Sequence, residues 1–578
     1  MRILTTEEVR QAEREAINRP ELSTLVLMHR AGQAVTQFCL AHFNFRSVCV
    51  VCGKGNNGGI GLVAAENLRK IAAQTFVIIL AKEAAELGAD AAAMCSRLNL
   101  QPIWIGSEAD FDTETVKEAF SADVIIDAIV GRGFKPPLTG IAEKAAEAIN
   151  DAFGTIVSVD VPSGIDADSR AQIHQTREYP VFTHGIVTFV APKPAHVFGE
   201  LTSGPIAVCE IGVQPALVPN KTELQVITGQ EVGITFPSRL NDAHEEQLGH
   251  ALVIGGSLGK AGSAALAGLA ALRTGSGLVT VACPRPVQAI VAGFAPELMT
   301  EELPQTQDGT IASNADERVD QLLPGKHAIV LGPGLWLNKD TAEFVRRLVT
   351  RCPLPLVLDA DSVAAFDGHY EELKARSDAA PFRVLILHPG EAARLIGVGT
   401  GDIQANRVEM AQRICRETGC CIVLKGWRTV VAGASGETWI NMSGNPALAK
   451  GGSDNVLSGM IGAALATQQA RSLALQTAGG PEVQPAKSWM HEIYGTDSGE
   501  KVRRREAQEL KQNSARASAF LKDVCVAAAI YLQGLAADIT RDQMHENTVL
   551  ASDVVDNLTE AFGACDLQMD QALFYLQR

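Results

Sequence analysis

Asn441 to Gly459 reads NMSGNPALAKGGSDNVLSG, a glycine-rich turn that runs without a break into an apolar helix. Val456, Leu457, Met460, Ile461, Ala464 and Leu465 recur at helical spacing, which sets Gly451, Gly452 and Ser453 over the helix start. Unpaired backbone N–H groups and the macrodipole make such a start a place for an anion. The bare alternative is a Gly-Gly-Ser cap on a buried helix, and the chain on either side decides between the two.

Upstream, apolar runs at Ala251–Ile254, Gly277–Cys283, Ala328–Leu331, Leu356–Asp361, Val384–Leu387 and Ile422–Lys425 read as strands separated by helical stretches. A second glycine turn, Gly255 to Ser263, follows the first of them. Gly332-Pro333-Gly334, Asp359-Ala360-Asp361, His388-Pro389-Gly390-Glu391 and Lys425-Gly426-Trp427-Arg428-Thr429 follow others. This is an α/β domain whose strand ends offer carboxylates, a histidine, a lysine and two phosphate-binding turns, a setting for nucleotide chemistry. Downstream, Gln468 to Asp523 is polar, carries Lys501 to Glu506 (KVRRRE) and holds few large apolar residues beyond Trp489, Met490 and Tyr494. It reads as an inserted surface excursion, with the helical pattern resuming at Val524 to Asp538.

The amino-terminal half repeats the alternation. Thr5 to Glu8 reads as a capped helix start and Leu25 to Phe38 as a second helix. Val48–Cys52, Thr75–Leu80, Val124–Ile129, Thr155–Val161 and Ile186–Val190 read as strands, with a helix over Ile60–Ile71. The spacing is that of βαβ units around a parallel sheet. Gly53 to Gly61 (GKGNNGGIG), Asp127 to Pro137 (DAIVGRGFKPP) and Val159 to Gly164 (VDVPSG) sit where strands end, which is where ligands gather in such sheets. Val208 to Gly212 closes this half, and the weakly patterned Gln214 to Pro237 reads as a connector.

At 578 residues the chain is too long for one core, and 46% hydrophobic with 20% charged residues is globular. The net charge of −16 gives no footprint for nucleic acid. A charged amino terminus and the lack of an apolar run of about 20 residues imply a cytoplasmic protein without a membrane partner. Twelve scattered cysteines suit a reducing compartment. Cys49 and Cys52 form a CxxC inside a strand, with no second pair at zinc spacing, so they read as buried packing residues.

Three loops in this order resemble the NAD(P)H-hydrate epimerase domain, with its GNNGGDG, DA[IL]FG and S[IV]D[IV]PSG motifs; Leu25 to Val35 and Ala191 to Ala195 (APKPA) add to the match. The second half resembles the ribokinase-like, ADP- or ATP-dependent NAD(P)H-hydrate dehydratases. VIGGS, GLVTVA, APELM, GPG, LDAD, HPGE, LKG and GNPALAKGGSDNVLSG recur in family order. The resemblance implies two α/β domains: a Rossmann-like three-layer αβα domain over 1–220, then a ribokinase-like αβα domain over 239–578. They are joined by a connector at 221–238, and the second carries an insertion near 468–523. It implies a fused repair enzyme that interconverts R and S NAD(P)HX and dehydrates the S form. The alternatives are a nucleotide-binding protein with one or both sites degenerate, and a ribokinase-like small-molecule kinase, which has no reason to carry the epimerase motifs.

By the same resemblance Asn57, Asp127 and Ser163 hold K+. Asn56, Asn57, Gly58, Gly59 and Ile60, together with Gly131, Arg132, Gly133, Phe134, Lys135, Pro136 and Pro137, contact the hydrated nucleotide. Asp160, a carboxylate at a strand end, transfers the proton. In the second domain Lys425, Gly426, Trp427, Arg428 and Thr429 line the ADP or ATP site, Ala264, Gly334 and His388 line the NAD(P)HX site, and Mg2+ assists. Partners are small-molecule nucleotides and further copies of the chain in a homo-oligomer. Five departures stand out: Ile60 replaces an aspartate, Glu245 a lysine, Trp336 a glycine and Gln533 a histidine, while Asp454-Asn455 replaces the family's Gly-Asp. The catalytic positions are therefore Asp454 and Asn455, and an amide takes up no proton near neutrality.

Overall fold

The computed structural model describes residues 1–18, 21–175, 179–217, 223–239, 241–359, 361–374, 381–477, 514–568 and 573–577. The chain divides into two compact units, one built on Met1–Glu223 and closed by the strand Leu573–Gln577, the other beginning at Leu224.

The first unit holds an eight-stranded sheet. Its strands are β1 (Ser47–Cys52), β2 (Gln74–Ile79), β3 (Ile103–Trp104), β4 (Val124–Ala128), β5 (Thr155–Val159), β6 (Gly185–Phe189) and β7 (Ile206–Cys209), flanked at the far edge by Leu573–Gln577. The order is Leu573–Gln577, β7, β6, β5, β4, β1, β2, β3, parallel throughout except at the carboxy-terminal strand. Sequences such as VIIDA and GIVTF are buried along their whole length, as strands covered on both faces must be. Thr5 and Glu8 form the expected capping box, with Thr5 N donating to the Glu8 carboxylate at 2.8 Å. The helix after β1 begins at Asn56 and ends at Leu68, so Asn56 to Gly59 form its first turn and not a loop, and Ile71 lies beyond it. A Cβ on Gly58 would fall 1.9 Å from the Gly53 carbonyl oxygen, so only glycine permits this immediate turn from strand to helix. Cys49 and Cys52 are free and buried, and burial pushes both thiols up, as packing residues require.

The second unit holds a ten-stranded sheet of β8 (Leu224–Val226), β9 (His250–Ile254), β10 (Leu278–Pro284), β11 (Met299–Leu303), β12 (Ala328–Leu331), β13 (Leu356–Leu358), β14 (Arg383–Leu387), β15 (Cys421–Leu424), β16 (Val430–Ala432) and β17 (Thr438–Ile440). The order is β11-β10-β9-β12-β13-β14-β15-β16-β17-β8, with β11 to β15 parallel and β15, β16 and β17 antiparallel. The proposed connector is corrected here. β8 pairs with β17, and the helix Gly229–Thr235 buries Val232 in this unit's core, so Leu224 to Thr235 are part of the fold.

The insertion is also shorter than the polarity implies. The helix that starts at Ser453 continues to Thr477, and the next runs from Ser514 to Gln543. Ala470 is buried, Arg471 donates to the Thr235 carbonyl at 2.9 Å, and Phe520 lies 6.0 Å from the Trp439 ring. Asp523 is fully buried and caps the β16–β17 turn by accepting from Ala434 N and Ser435 N. Trp489, Met490, Tyr494 and Lys501 to Glu506 lie outside the described residues. Ala517 to Gln543 is long and apolar enough to cross a membrane by length and composition, contrary to the sequence reading, but 78% of its most apolar window is buried, as in a core helix.

Replacing residues 478–513 by a short bridge should preserve the cooperative melt. Removing 468–522 instead should lower the midpoint further, because it takes away Ala470, Arg471 and Phe520 as well; equal midpoints for the two deletions would contradict this boundary.

Candidate active sites

In the first unit the carboxyl ends of β4 and β5 meet the start of the helix Asn56–Leu68. Asn57 Nδ2 donates to the Val130 carbonyl at 2.9 Å and to the Val159 carbonyl at 3.3 Å. Asp127 is sealed from solvent and accepts from Ser163 Oγ at 2.5 Å, Ser163 N at 2.8 Å, Ser158 Oγ at 2.9 Å and Ile129 N at 3.3 Å. All four donors are neutral, and burial raises the carboxyl's proton affinity against their pull.

Asp160 lies one residue past β5 with φ of 69°, in the left-handed region that a non-glycine residue enters only under constraint. Its Oδ1 accepts from Lys193 Nζ at 2.7 Å and Thr188 Oγ1 at 3.0 Å, its Oδ2 accepts from Arg132 N at 3.2 Å, and its carbonyl meets His196 Nε2 at 2.7 Å. Arg132 is in turn bound to the Glu13 carboxylate. Burial alone would raise the Asp160 carboxyl, but the Lys193 ammonium and the Arg132 guanidinium outweigh it and hold the group well below the usual carboxylate range. Burial, reinforced by Lys193, pushes His196 down to about 4 and keeps it neutral. Beside the Gly131–Pro137 loop a cavity of about 400 Å3 is lined by Lys135, Pro136, Ile165, Asp166, Asp168 and Leu201 among others, with Lys135 Nζ 2.7 Å from Asp166.

In the second unit the helix Ser453–Thr477 starts beneath Gly451 and Gly452, the latter at φ of 99°. Gln533 Nε2 donates to the Ser453 carbonyl at 2.7 Å and ties this start to the helix Ser514–Gln543. Asp538 accepts from Gly444 N and Asn445 Nδ2, fixing the preceding turn. At the end of β15, Lys425 pairs with the Asp454 carboxylate. Asp359, at the end of β13, is buried, and among the described residues its Oδ2 has no hydrogen-bond partner. Burial, with the Asp454 charge adding to it, raises this carboxyl to about 7, against the pull of Lys425 and Ser458.

Similarity to known proteins follows this division. The family described as NAD(P)H-hydrate dehydratase matches residues 251–501, and the one described as YjeF-related protein N-terminus matches residues 24–195. The chain is 34% identical over 471 residues to the bifunctional NAD(P)H-hydrate repair enzyme Nnr of Moorella thermoacetica, covering 80% of this chain and 87% of that protein. It is 31% identical over 462 residues to the protein of the same name from Escherichia coli, covering 79% and 84%. It belongs to the bifunctional NAD(P)H-hydrate repair enzymes. A solved ADP/ATP-dependent NAD(P)H-hydrate dehydratase from Bacillus subtilis, co-crystallised with ATP and Mg2+, is 26% identical and covers 59% of this chain and 99% of that one, with a TM-score of 0.43.

For a repair enzyme of this family the residues expected from sequence fall into three groups. Asn57, Asp127 and Ser163 come together around the Val130 carbonyl, which accepts from Asn57 Nδ2 and from Ser163 Oγ. Lys425 and Asp454 also meet, which the sequence did not foresee, because one residue carries the family's nucleotide contact and the other replaces a glycine. A third group behaves otherwise. The Ala264 methyl is buried in the core. His388 caps a helix: its half-exposed ring accepts from Gly390 N at 3.0 Å and Glu391 N at 3.3 Å. Gly334 offers its carbonyl to Ser257 Oγ at 2.8 Å. Sequence reasoning missed Lys193, Glu13 and Thr188 around Asp160; the Lys193 of APKPA, leaving an apolar strand between prolines, was the available signal.

Asp160→Asn should abolish epimer exchange and also destabilise the first unit by about 3–5 kcal/mol, since it leaves the Lys193 ammonium buried without its carboxylate. Denaturant melts should show much of that loss recovered in the Asp160→Asn, Lys193→Met double variant, and a single variant as stable as the parent would contradict the buried pair. Asp359 gives a pH test. Its folded proton affinity exceeds that of an unfolded aspartate near 4. Protonation therefore stabilises the fold as pH falls from about 7 towards 4, and the gain is lost as pH rises through 7. Asp359→Asn should raise Tm above the parent's at about pH 8, with the advantage fading by about pH 5.

Proposed function

We propose that the chain restores hydrated nicotinamide nucleotides: the first unit interconverts the R and S epimers of NAD(P)HX, and the second dehydrates the S form with ADP or ATP as phosphoryl donor. The observation that carries this reading is the arrival of both motif sets at the carboxyl ends of two separate parallel sheets, each with a lysine–aspartate pair at its rim.

In the first unit Asp160 cannot act as a ready proton carrier while Lys193, Thr188 and Arg132 occupy both its oxygens. Kept ionised, it supplies a fixed negative charge that favours positive character on a bound ring, and proton exchange with it requires Arg132 to yield. The Asn57, Asp127, Ser163 and Val130 oxygens suit K+, whose charge would offset that of the buried Asp127. In the second unit transfer of a phosphoryl group to the ring hydroxyl turns a poor leaving group into a good one. The amides at the start of the helix Ser453–Thr477 and Lys425 stabilise the transferred group. The described residues contain no cluster of three or more His, Cys, Asp or Glu side chains fit to hold a metal, so Mg2+ would come with the nucleotide phosphates and keep most of its waters.

The second site departs from its family in a way that bears on rate. Asn455 stands at the position of the base, and the Asp454 carboxylate occupies Lys425 at an anion-binding helix start. Slow dehydration follows from both. Changing Asp454→Gly together with Asn455→Asp should free Lys425, restore a carboxylate base and raise turnover of the S hydrate by about 10²-fold or more. A parent protein that dehydrates briskly, with a double variant no faster, would remove this loop from the catalytic account.

A further inference from the structure

We propose that Glu13 is a positioning residue of the first unit's site: it draws the Arg132 guanidinium aside and so opens Asp160 Oδ2, the oxygen through which a proton is exchanged with the bound hydrate. The proposal rests on the epimerase reading of this unit and gives a part in it to a residue that none of the sequence motifs contains.

The two oxygens of Asp160 are held in different ways. Lys193 Nζ donates to Oδ1 at 2.7 Å, to Thr188 Oγ1 at 2.7 Å and to the Phe189 carbonyl at 3.1 Å, and Thr188 Oγ1 donates to the same Oδ1 at 3.0 Å. Lys193 and Thr188 are both sealed from solvent, so this oxygen is locked. The hold on Oδ2 is lighter. The Arg132 amide donates to it at 3.2 Å, and Arg132 Nη1 stands 3.6 Å away, an ion pair beyond hydrogen-bond reach. Nη2 of the same guanidinium is hydrogen-bonded to Glu13 Oε2, so the arginine already lies nearer to Glu13 than to Asp160. Unlike Lys193, the Arg132 and Glu13 side chains keep an exposed edge, 19% and 20% of their surface. Glu13 belongs to the helix Thr6–Ile17, which grips the arginine's backbone as well: Thr6 Oγ1 donates to the Arg132 carbonyl at 3.1 Å. With the backbone fixed, the freedom left at this position is the swing of the guanidinium between two carboxylates.

A carboxylate whose one oxygen is locked by an ammonium takes up a proton on the other. A guanidinium bonded to that second oxygen forms a charge-assisted pair that the proton must displace. Glu13 offers the guanidinium another carboxylate at bonding distance, so leaving Oδ2 does not strand a buried cation without a counter-charge. The proton that Oδ2 takes from one epimer is returned as the other forms, and the exchange consumes no co-reactant. Glu13 acts on this step through Arg132 and not on the bound ground state, so its loss lowers kcat and leaves KM nearly unchanged.

The test follows conversion of R to S NADH hydrate by the full-length chain, without ADP or ATP so that the second unit stays idle. Glu13→Gln should lower kcat at least about tenfold with KM within about twofold, because the guanidinium then closes on Oδ2. Glu13→Asp, which keeps the charge, should retain most of kcat. Adding Arg132→Met to Glu13→Gln removes the group that closes and should bring kcat back to within about threefold of the parent, a recovery that a purely structural role for Glu13 does not give. Parental kcat in Glu13→Gln, a Glu13→Asp variant as slow as Glu13→Gln, or a double variant as slow as the single one overturns the positioning role while leaving the epimerase reading in place. A parent protein that exchanges the epimers no faster than buffer overturns that reading itself.

Discussion

Parallel strand pairing sends each connection back across a face of the sheet, so all the strands deliver their carboxyl ends to one rim. Everything chemical in this protein follows from that constraint, applied twice. At each rim the chain leaves a buried, nearly uninterrupted apolar strand and must turn at once into polar loop or helix, which leaves carboxylates, amides and lysines side by side at the edge of a low-dielectric layer. Charge there has to be balanced locally. In the first unit Asp160 is balanced by Lys193 and Arg132, and in the second Asp454 is balanced by Lys425.

The two balances differ in depth, and the difference separates the two chemistries. Asp160 is sealed, with both oxygens committed to donors, so it acts as a fixed charge within a prearranged network that reaches through Arg132 to Glu13. Asp454 is about half exposed and sits on a helix start whose amides and lysine suit a phosphate. In the proposed dehydration a side-chain carboxylate in that place would compete with the donor nucleotide. It also lifts the neighbouring Asp359 towards neutrality, so changing one residue alters both the charge and the protonation of the site.

Much of this was legible in the sequence because parallel strands buried on both faces read as short, continuous apolar runs, and β1, β4, β9 and β12 were found nearly to the residue. The motifs at their ends then placed the loops. What escaped has physical causes. β8, β16 and β17 are three residues each, too short for any periodic signal. The helix at Asn56 starts on Asn-Asn-Gly-Gly, poor helix formers whose preference is overruled by the close approach of Gly58 to Gly53. The insertion was drawn too wide because Gln468 and Gln469 are polar on helix faces that reach solvent. Lys193 was passed over because lysine belongs on the surface unless a carboxylate meets it inside, and nothing local to APKPA reveals Asp160. The Asp454–Lys425 pair joins residues 29 positions apart, which only the fold brings together.

The account holds that epimer exchange is intact and dehydration is the slow step, because one lysine–aspartate pair is prearranged and the other obstructs its site. The most direct measurement supplies mixed R and S NADH hydrate with ADP or ATP and follows both epimers separately as NADH appears. The account predicts that R and S decline together at a constant ratio until both have returned as NADH. Rapid loss of S that leaves R behind would contradict it.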